Sequence, residues 1–124
     1  MEIAEKYRKL QIPCDVIHLD IDYMDNFKVF TWDEEYYDKK GVLCDKMEQL
    51  GFKPVTIIDP GTKKEDGYFM YEEGVEKGYF AKDTEGNIYV NEVWPGESVF
   101  PDFGRKEVRD WWADHHKELL DMGI

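Results

Sequence analysis

The hydrophobic residues of this chain follow a helical period in some stretches and form short unbroken runs in others. Residues 2–10 place apolar side chains three to four positions apart, which predicts an amphipathic helix that Pro13 ends. Residues 15–21 and 53–59 are short, β-rich and apolar at consecutive positions, which is typical of strands buried on both faces. Residues 105–124 carry an apolar stripe at helical spacing and predict a long final helix.

A further helical stretch is predicted between the two strands. It runs from residue 32 to residue 50, with Leu43, Met47 and Leu50 on its apolar face, and Gly51 fits its C-terminal cap. A strand, a helix and a second strand in this order are typical of a parallel strand pair joined by a right-handed crossover.

A long polar segment with many aromatic residues, residues 61–104, follows the second strand. Within it, residues 79–81 and 87–90 predict the two strands of a hairpin, and residues 83–86 predict its turn. We therefore predict a single α/β domain over residues 1–124. Its order is helix, strand, helix, strand, hairpin insertion and helix, and its two core strands are parallel.

The composition adds a strong acidic bias to this picture. The chain has 28 acidic and 16 basic residues, which gives a formal net charge of −12. Nucleic acids and anionic membranes attract basic patches, so we expect neither as a partner. No apolar run approaches the roughly 18 residues of a membrane span. The charged first ten residues are unlike a signal peptide, and Cys14 and Cys44 form no C-x-x-C pair, so we predict a cytoplasmic protein.

Carboxylates follow both predicted strands. Asp20 and Asp22 come after the first strand, and Asp59 comes after the second. Ligands of parallel α/β folds bind at the carboxyl ends of the strands, so this pattern predicts a binding site there. Asp20 could equally accept hydrogen bonds from nearby backbone N–H groups. The spacing of residues 20–25 does not match a calcium loop, and we predict no metal and no cofactor.

Three segments together resemble glycoside hydrolase family 31. They are D-V-I-H-L-D-I-D-Y-M-D-N-F-K-V-F-T-W-D at residues 15–33, F-K-P-V-T-I-I-D-P-G at residues 52–61 and E-V-W-P-G-E-S-V-F-P-D-F at residues 92–103. Members of this family are retaining α-glucosidases and relatives built on a TIM barrel. The resemblance implies that the chain is a partial (β/α) TIM-barrel segment that holds the second and third barrel strands.

The same resemblance implies which residues bind substrate, namely glucose or an α-glucoside in the parent fold. The implied substrate-binding residues are Asp20, Ile21, Ile57 and Trp94. Asp20 would accept hydrogen bonds from sugar hydroxyls, and Trp94 would pack on the sugar. Asp22 and Asp59 are expected to support this pocket.

The resemblance also implies that the catalytic residues lie elsewhere. The family nucleophile belongs to a W-x-D-M-N-E motif on the next strand, whereas this chain reaches only L-L-D-M-G-I. Retaining hydrolysis needs two carboxyl groups about 5–5.5 Å apart. We therefore predict a segment of an α-glucosidase-like glycoside hydrolase that carries part of the glucose pocket and no catalytic residue.

Two other functions agree with the residues alone. One is a non-enzymatic carbohydrate-binding or self-associating module, and the other is a metal-dependent hydrolase that uses the Asp cluster. Two strands cannot close a barrel, so both would keep an exposed edge. Exposed strand edges pair readily with other chains, and we predict a dimer or a higher assembly.

Overall fold

A computed structural model describes residues 1–37 and 41–124 of the chain. The helices are α1 (Glu2–Lys9), α2 (Val42–Gln49), α3 (Phe69–Glu76) and α4 (Lys106–Asp121). The strands are β1 (Val16–Leu19), β2 (Lys53–Thr56), β3 (Thr62–Lys63), β4 (Val90–Val93) and β5 (Gly96–Val99). Two short 3-10 turns, Ile21–Tyr23 and Asp25–Phe27, follow β1.

The two core strands lie side by side. β1 and β2 are parallel, and their register runs from Val16 opposite Lys53 to Leu19 opposite Thr56. This pairing confirms the parallel pair predicted from the strand–helix–strand order. No third strand joins this sheet within residues 1–37 and 41–124, so the chain forms a partial α/β segment without a closed barrel.

The sheet is covered on one face only, so the prediction of strands buried on both faces is wrong. Leu19 is buried and Ile17 is half-buried beneath α1 and α2, whereas Val16, His18 and Val55 are exposed on the opposite face. Side chains alternate between the faces of a strand. α4 packs near β2 on the covered side, so no described helix is left to cover the other face. We call that uncovered side the open face.

The helix between the strands is shorter than predicted. α2 begins at Val42, just after Gly41, whose φ of +84° interrupts a helix. Further upstream, the Asp33 carboxylate accepts the backbone N–H groups of Glu35 and Tyr36 at 2.9 and 3.2 Å, which forms a turn. Residues 38–40 of the predicted helix are outside the residues that the structure describes.

The apolar face and the C-terminal cap of this helix are confirmed. Leu43 and Met47 are buried, and Gly51 follows the helix with a φ of +73°. Arg8 of α1 fixes the same corner, because its Nε donates to the Leu50 carbonyl at 2.7 Å. Its guanidinium also lies 3.6 Å from the ring centroid of Phe52, so α1 and the end of α2 are tied together.

The regular hairpin of the insertion lies further along the chain than predicted. The predicted segments 79–81 and 87–90 do face each other, because the Tyr89 N–H donates to the Ala81 carbonyl at 2.9 Å and an isolated bridge joins Lys82 to Ile88, but they form no regular strands. The predicted turn is present, and in it the Asp83 carboxylate accepts the backbone N–H groups of Glu85 and Asn87. The hairpin with two full strands is β4–β5, joined by Trp94 and Pro95, and β3 pairs with the other side of β5.

Helix α3 was not predicted, because its sequence was interpreted as part of the long polar loop. Its buried residues are Met70 and Gly74, one turn apart. Tyr68, just before the helix, is buried, and its hydroxyl donates to the Val29 carbonyl at 2.7 Å. The insertion is therefore anchored to the loop that follows β1.

Neither the cysteines nor the described helices depart from what the composition indicates. Cys14 and Cys44 are both free, and burial raises the pKa of the Cys44 thiol. None of the helices in residues 1–37 and 41–124 combines the length and the apolar character needed to cross a membrane. The cytoplasmic location stays a prediction.

Helices α3 and α4 meet at a polar contact inside an aromatic cluster. The Glu73 carboxylate accepts the Trp111 indole N–H at 2.9 Å and the Lys77 ammonium at 3.0 Å. His115 Nε2 lies 3.7 Å from the same oxygen, and the imidazole packs 5.4–5.5 Å from the rings of Phe30, Phe69 and Trp111. Burial lowers the pKa of His115, and the Glu73 carboxylate partly opposes this shift.

This contact predicts a loss of stability on mild acidification. The unfolded chain protonates His115 near its ordinary pKa of 6.5, whereas the folded chain resists protonation until a lower pH. The free energy of unfolding therefore falls as the pH drops through the interval just below 6.5. We expect the thermal midpoint to fall between about pH 7.5 and about pH 5.5, and to fall less in His115→Gln. Equal pH dependence in both proteins would contradict this assignment.

Candidate functional site

Two of the predicted site residues lie together on the open face, at the carboxyl ends of β1 and β2. The β1–β2 ladder continues past its last paired residues, because the Ile57 N–H donates to the Leu19 carbonyl at 3.1 Å. Asp20 and Ile57 then line one hollow of about 330 Å³ together with His18, Leu19 and Thr56. A carboxylate, an apolar side chain and the ends of two parallel strands therefore border a single open space.

The Asp20 side chain is held in place by its own backbone. It precedes the first 3-10 turn, and its Oδ1 accepts the Ile21 N–H at 2.8 Å. The capping role left open by the sequence is therefore real, but it uses one oxygen. The carboxylate is exposed, so its other oxygen can accept hydrogen bonds from a ligand in the hollow.

The three strand-end carboxylates do not converge. Asp22 borders a separate hollow of about 570 Å³ beside Tyr36 and Tyr37. Asp59 lies near the buried hydroxyl of Tyr23, where its charge adds to the effect of burial in raising the pKa of Tyr23 to about 12. Among the described residues no three His, Cys, Asp or Glu side chains are grouped so that they could hold a metal ion. The metal-dependent hydrolase that uses these carboxylates stays a prediction.

Trp94 and Ile21 do not border the hollow that Asp20 and Ile57 share. Trp94 lies at the β4–β5 turn and is 69% exposed. Its hairpin packs closely against Gly61, the residue directly before β3, where an added Cβ would lie 2.7 Å from a methyl carbon of Val93. The Trp94 ring is thus exposed, and the hairpin that carries it contacts the segment that follows β2.

Three residues of the hollow were not predicted from the sequence, namely His18, Leu19 and Thr56. The sequence does indicate His18, because residues two positions apart on a strand point to the same face, and His18 is two positions before Asp20. This indication was not used because residues 15–21 were interpreted as a strand buried on both faces, whereas the His18 side chain is exposed.

Comparison with known proteins agrees with this arrangement of strands and helices. A model of the glycosyl hydrolases family 31 TIM-barrel domain matches residues 1–124. Alpha-glucosidase 2 of Bacillus thermoamyloliquefaciens is 46% identical over 123 residues, which are 99% of this chain and 16% of that protein. The crystal structure of the family 31 alpha-glucosidase from Bacteroides thetaiotaomicron matches with a TM-score of 0.90 and 36% identity, over 98% of this chain and 21% of that one.

A further solved structure is the catalytic subunit of an ER glucosidase II heterodimeric complex that also holds the binding domain of a regulatory subunit. It matches with a TM-score of 0.86 and 36% identity, over 90% of this chain and 12% of that one. The chain thus spans between 12% and 21% of the length of these three proteins. It belongs to glycosyl hydrolase family 31 and is a segment of the TIM-barrel domain of that family.

Proposed function

We propose that this chain supplies part of the glucose-binding pocket of an α-glucosidase-like glycoside hydrolase. The observation that carries the proposal is the shared hollow of Asp20 and Ile57 at the carboxyl ends of two parallel strands. Ligands of barrel folds bind at this end of the strands. Ile21 and Trp94 are proposed as further sugar contacts, and Asp22 and Asp59 as supports of the pocket.

The chemistry of the hollow suits a neutral sugar. Asp20 has a carboxylate oxygen available to accept hydroxyl hydrogen bonds, and such charge-assisted bonds are among the stronger ones. Ile57 is 39% exposed and offers an apolar surface to sugar C–H groups. Asp20 is the one carboxylate among the five residues that line the hollow, so a pair of carboxyl groups for retaining hydrolysis is not found there. The proposal therefore assigns binding, and no catalytic step, to this chain.

A segment exchange tests the proposal. The chain replaces the matching residues of alpha-glucosidase 2 from Bacillus thermoamyloliquefaciens, to which it aligns over 123 residues. We call this protein the chimera, and hydrolysis of a chromogenic α-glucoside is measured. Turnover by the chimera supports the proposed role. A folded chimera without turnover contradicts it, and glucose binding by the chain alone would then favour the non-enzymatic binding module.

We also propose that the isolated chain self-associates through the free edges of β1 and β2. Each strand has one partner strand among the described residues, and Val16 and Val55 are each 37% exposed on the open face. A bare strand edge beside exposed apolar surface favours pairing with another chain, and a second copy offers the same edges.

Electrostatic repulsion between the acidic copies gives this association a predicted salt dependence. Each copy carries a formal net charge of −12, and salt screens that repulsion. Sedimentation velocity should show dimers or larger assemblies at about 0.5 M NaCl and more monomer at about 0.02 M. Val55→Lys on β2 should favour the monomer, whereas Val75→Lys on the exposed side of α3 should not. A monomer at every salt and protein concentration would refute self-association.

A further inference from the structure

A buried tyrosine joins the ends of the two core strands. Tyr23 belongs to the 3-10 turn directly after Asp20, and its side chain is fully buried. Its hydroxyl donates to the backbone carbonyl of Ile57 at 2.8 Å, across 34 residues of sequence. The ring packs against Trp32 with a centroid distance of 5.5 Å, so the tyrosine cannot easily turn away.

This hydrogen bond ends on a residue of the proposed sugar pocket. Asp20 and Ile57 both border the hollow, and Tyr23 ties the turn that begins at Asp20 to the backbone of Ile57. Ile57 is also held on its other side, because its N–H donates to Leu19. The two polar groups of the Ile57 backbone are therefore fixed by two different residues of the first strand and its turn.

The hydroxyl of Tyr23 remains a donor over the whole physiological pH range. Burial raises its pKa to about 12, the nearby Thr56 side chain works against the rise, and the Asp59 carboxylate adds to it. The hydroxyl proton is therefore retained at neutral pH.

We propose that Tyr23 is a positioning residue, which sets the distance between Asp20 and Ile57 through its hydrogen bond to the Ile57 carbonyl and so determines how tightly the pocket holds a glucosyl unit. This inference rests on the proposed function, and it adds a residue that does not itself contact the sugar. A fixed pocket geometry keeps contacts within the short range in which they are effective.

Tyr68 provides a matched control, because it makes the same kind of bond elsewhere. It is buried to a similar degree, and its hydroxyl donates to the Val29 carbonyl at 2.7 Å. Val29 does not border the hollow of Asp20 and Ile57. Tyr68→Phe therefore removes a buried hydroxyl and leaves a carbonyl without that partner, but this carbonyl belongs to a residue that does not line the hollow.

The first test measures KM and kcat of the chimera for a chromogenic α-glucoside. We expect Tyr23→Phe to raise KM about tenfold with kcat within about twofold, because binding is weakened in the ground state and the transition state alike. Tyr68→Phe should lower the thermal midpoint and leave KM within about twofold. Equal KM values in Tyr23→Phe and the parent, or equal increases in both variants, would overturn the positioning role.

The second test uses the chain itself and does not depend on turnover. Exchange of the Ile57 amide hydrogen is followed in the parent, in Tyr23→Phe and in Tyr68→Phe. We expect at least about tenfold faster exchange in Tyr23→Phe alone, since local opening is governed by the contacts that hold the strand end. Unchanged exchange in Tyr23→Phe would overturn the inference even if the chimera is active. An inactive chimera with selectively faster exchange would reject the proposed function and retain Tyr23 as the residue that fixes Ile57.

Discussion

The substitution Asp20→Asn should lower kcat/KM of the chimera for a chromogenic α-glucoside by about 10- to 100-fold. An amide has the shape of the carboxylate and keeps one oxygen for the Ile21 N–H bond of 2.8 Å. It replaces the oxygen available to the ligand with an NH₂ group that cannot accept a hydroxyl hydrogen. A hydrogen bond to a charged group contributes about 1.5–3 kcal/mol, and about 1.4 kcal/mol corresponds to a factor of ten.

Asp15→Asn is the matched control for this experiment. Asp15 precedes the same strand at its opposite end, and its side chain is exposed. The substitution makes the same change of charge and shape, so it reports any effect of net charge alone on activity or stability. We expect its kcat/KM to stay within about twofold of the parent chimera. If Asp20→Asn also stayed within that range, Asp20 would be a backbone cap without a role in sugar binding.

The position of Asp20 could be predicted because it depends on a simple rule of parallel sheets. Strand, helix and strand in sequence place both carboxyl ends on the same edge, so Asp20 had to lie near the end of β2. The role of Ile57 required the family resemblance, since an isoleucine near a strand end is otherwise an ordinary core residue. Trp94 was assigned in the same way, and the structure leaves it on an exposed turn outside the shared hollow.

The open face of the sheet could not be predicted from the residue pattern. Val16 and Val55 are as apolar as any core residue, and an unbroken apolar run normally indicates burial on both faces. Their exposure follows from the placement of α1, α2 and α4 on one side of the sheet. Helix placement is a tertiary property, and consecutive apolar residues carry no information about it.

Helix α3 was missed for a different reason, which is that one of its buried positions is a glycine. Gly74 lies one turn after Met70 on the buried side, but a glycine adds nothing to an apolar period and is unfavourable in a helix interior. The short helix therefore showed too few apolar positions to stand out from a loop. The structure explains the glycine, because the ring of Phe80 occupies the place of its side chain.

We accordingly expect Gly74→Ala to destabilise the chain even though alanine is the better helix former. The added Cβ would lie 2.5 Å from Cε2 of Phe80 and closer still to Cζ. Phe80 is 2% exposed, stacks on Tyr71 at a centroid distance of 6.2 Å and meets Trp111 edge-on at 6.4 Å, so its ring has little room to move. The higher helix propensity of alanine raises the free energy of unfolding by about 1 kcal/mol, whereas overpacking of this severity lowers it by about 3 kcal/mol.

The net loss of about 2 kcal/mol corresponds to a fall of about 8 °C in the thermal midpoint of a chain of this size, measured by circular dichroism. Gly104→Ala is the control, because its Cβ would meet only the flexible end of the Asp102 side chain, at 3.1 Å, and we expect a shift of no more than about 2 °C. The double variant Gly74→Ala with Phe80→Leu should be more stable than the two single losses predict, since a smaller side chain leaves room for the methyl group. A rise in the midpoint of Gly74→Ala would show that the ring moves aside and that helix propensity outweighs packing at this junction.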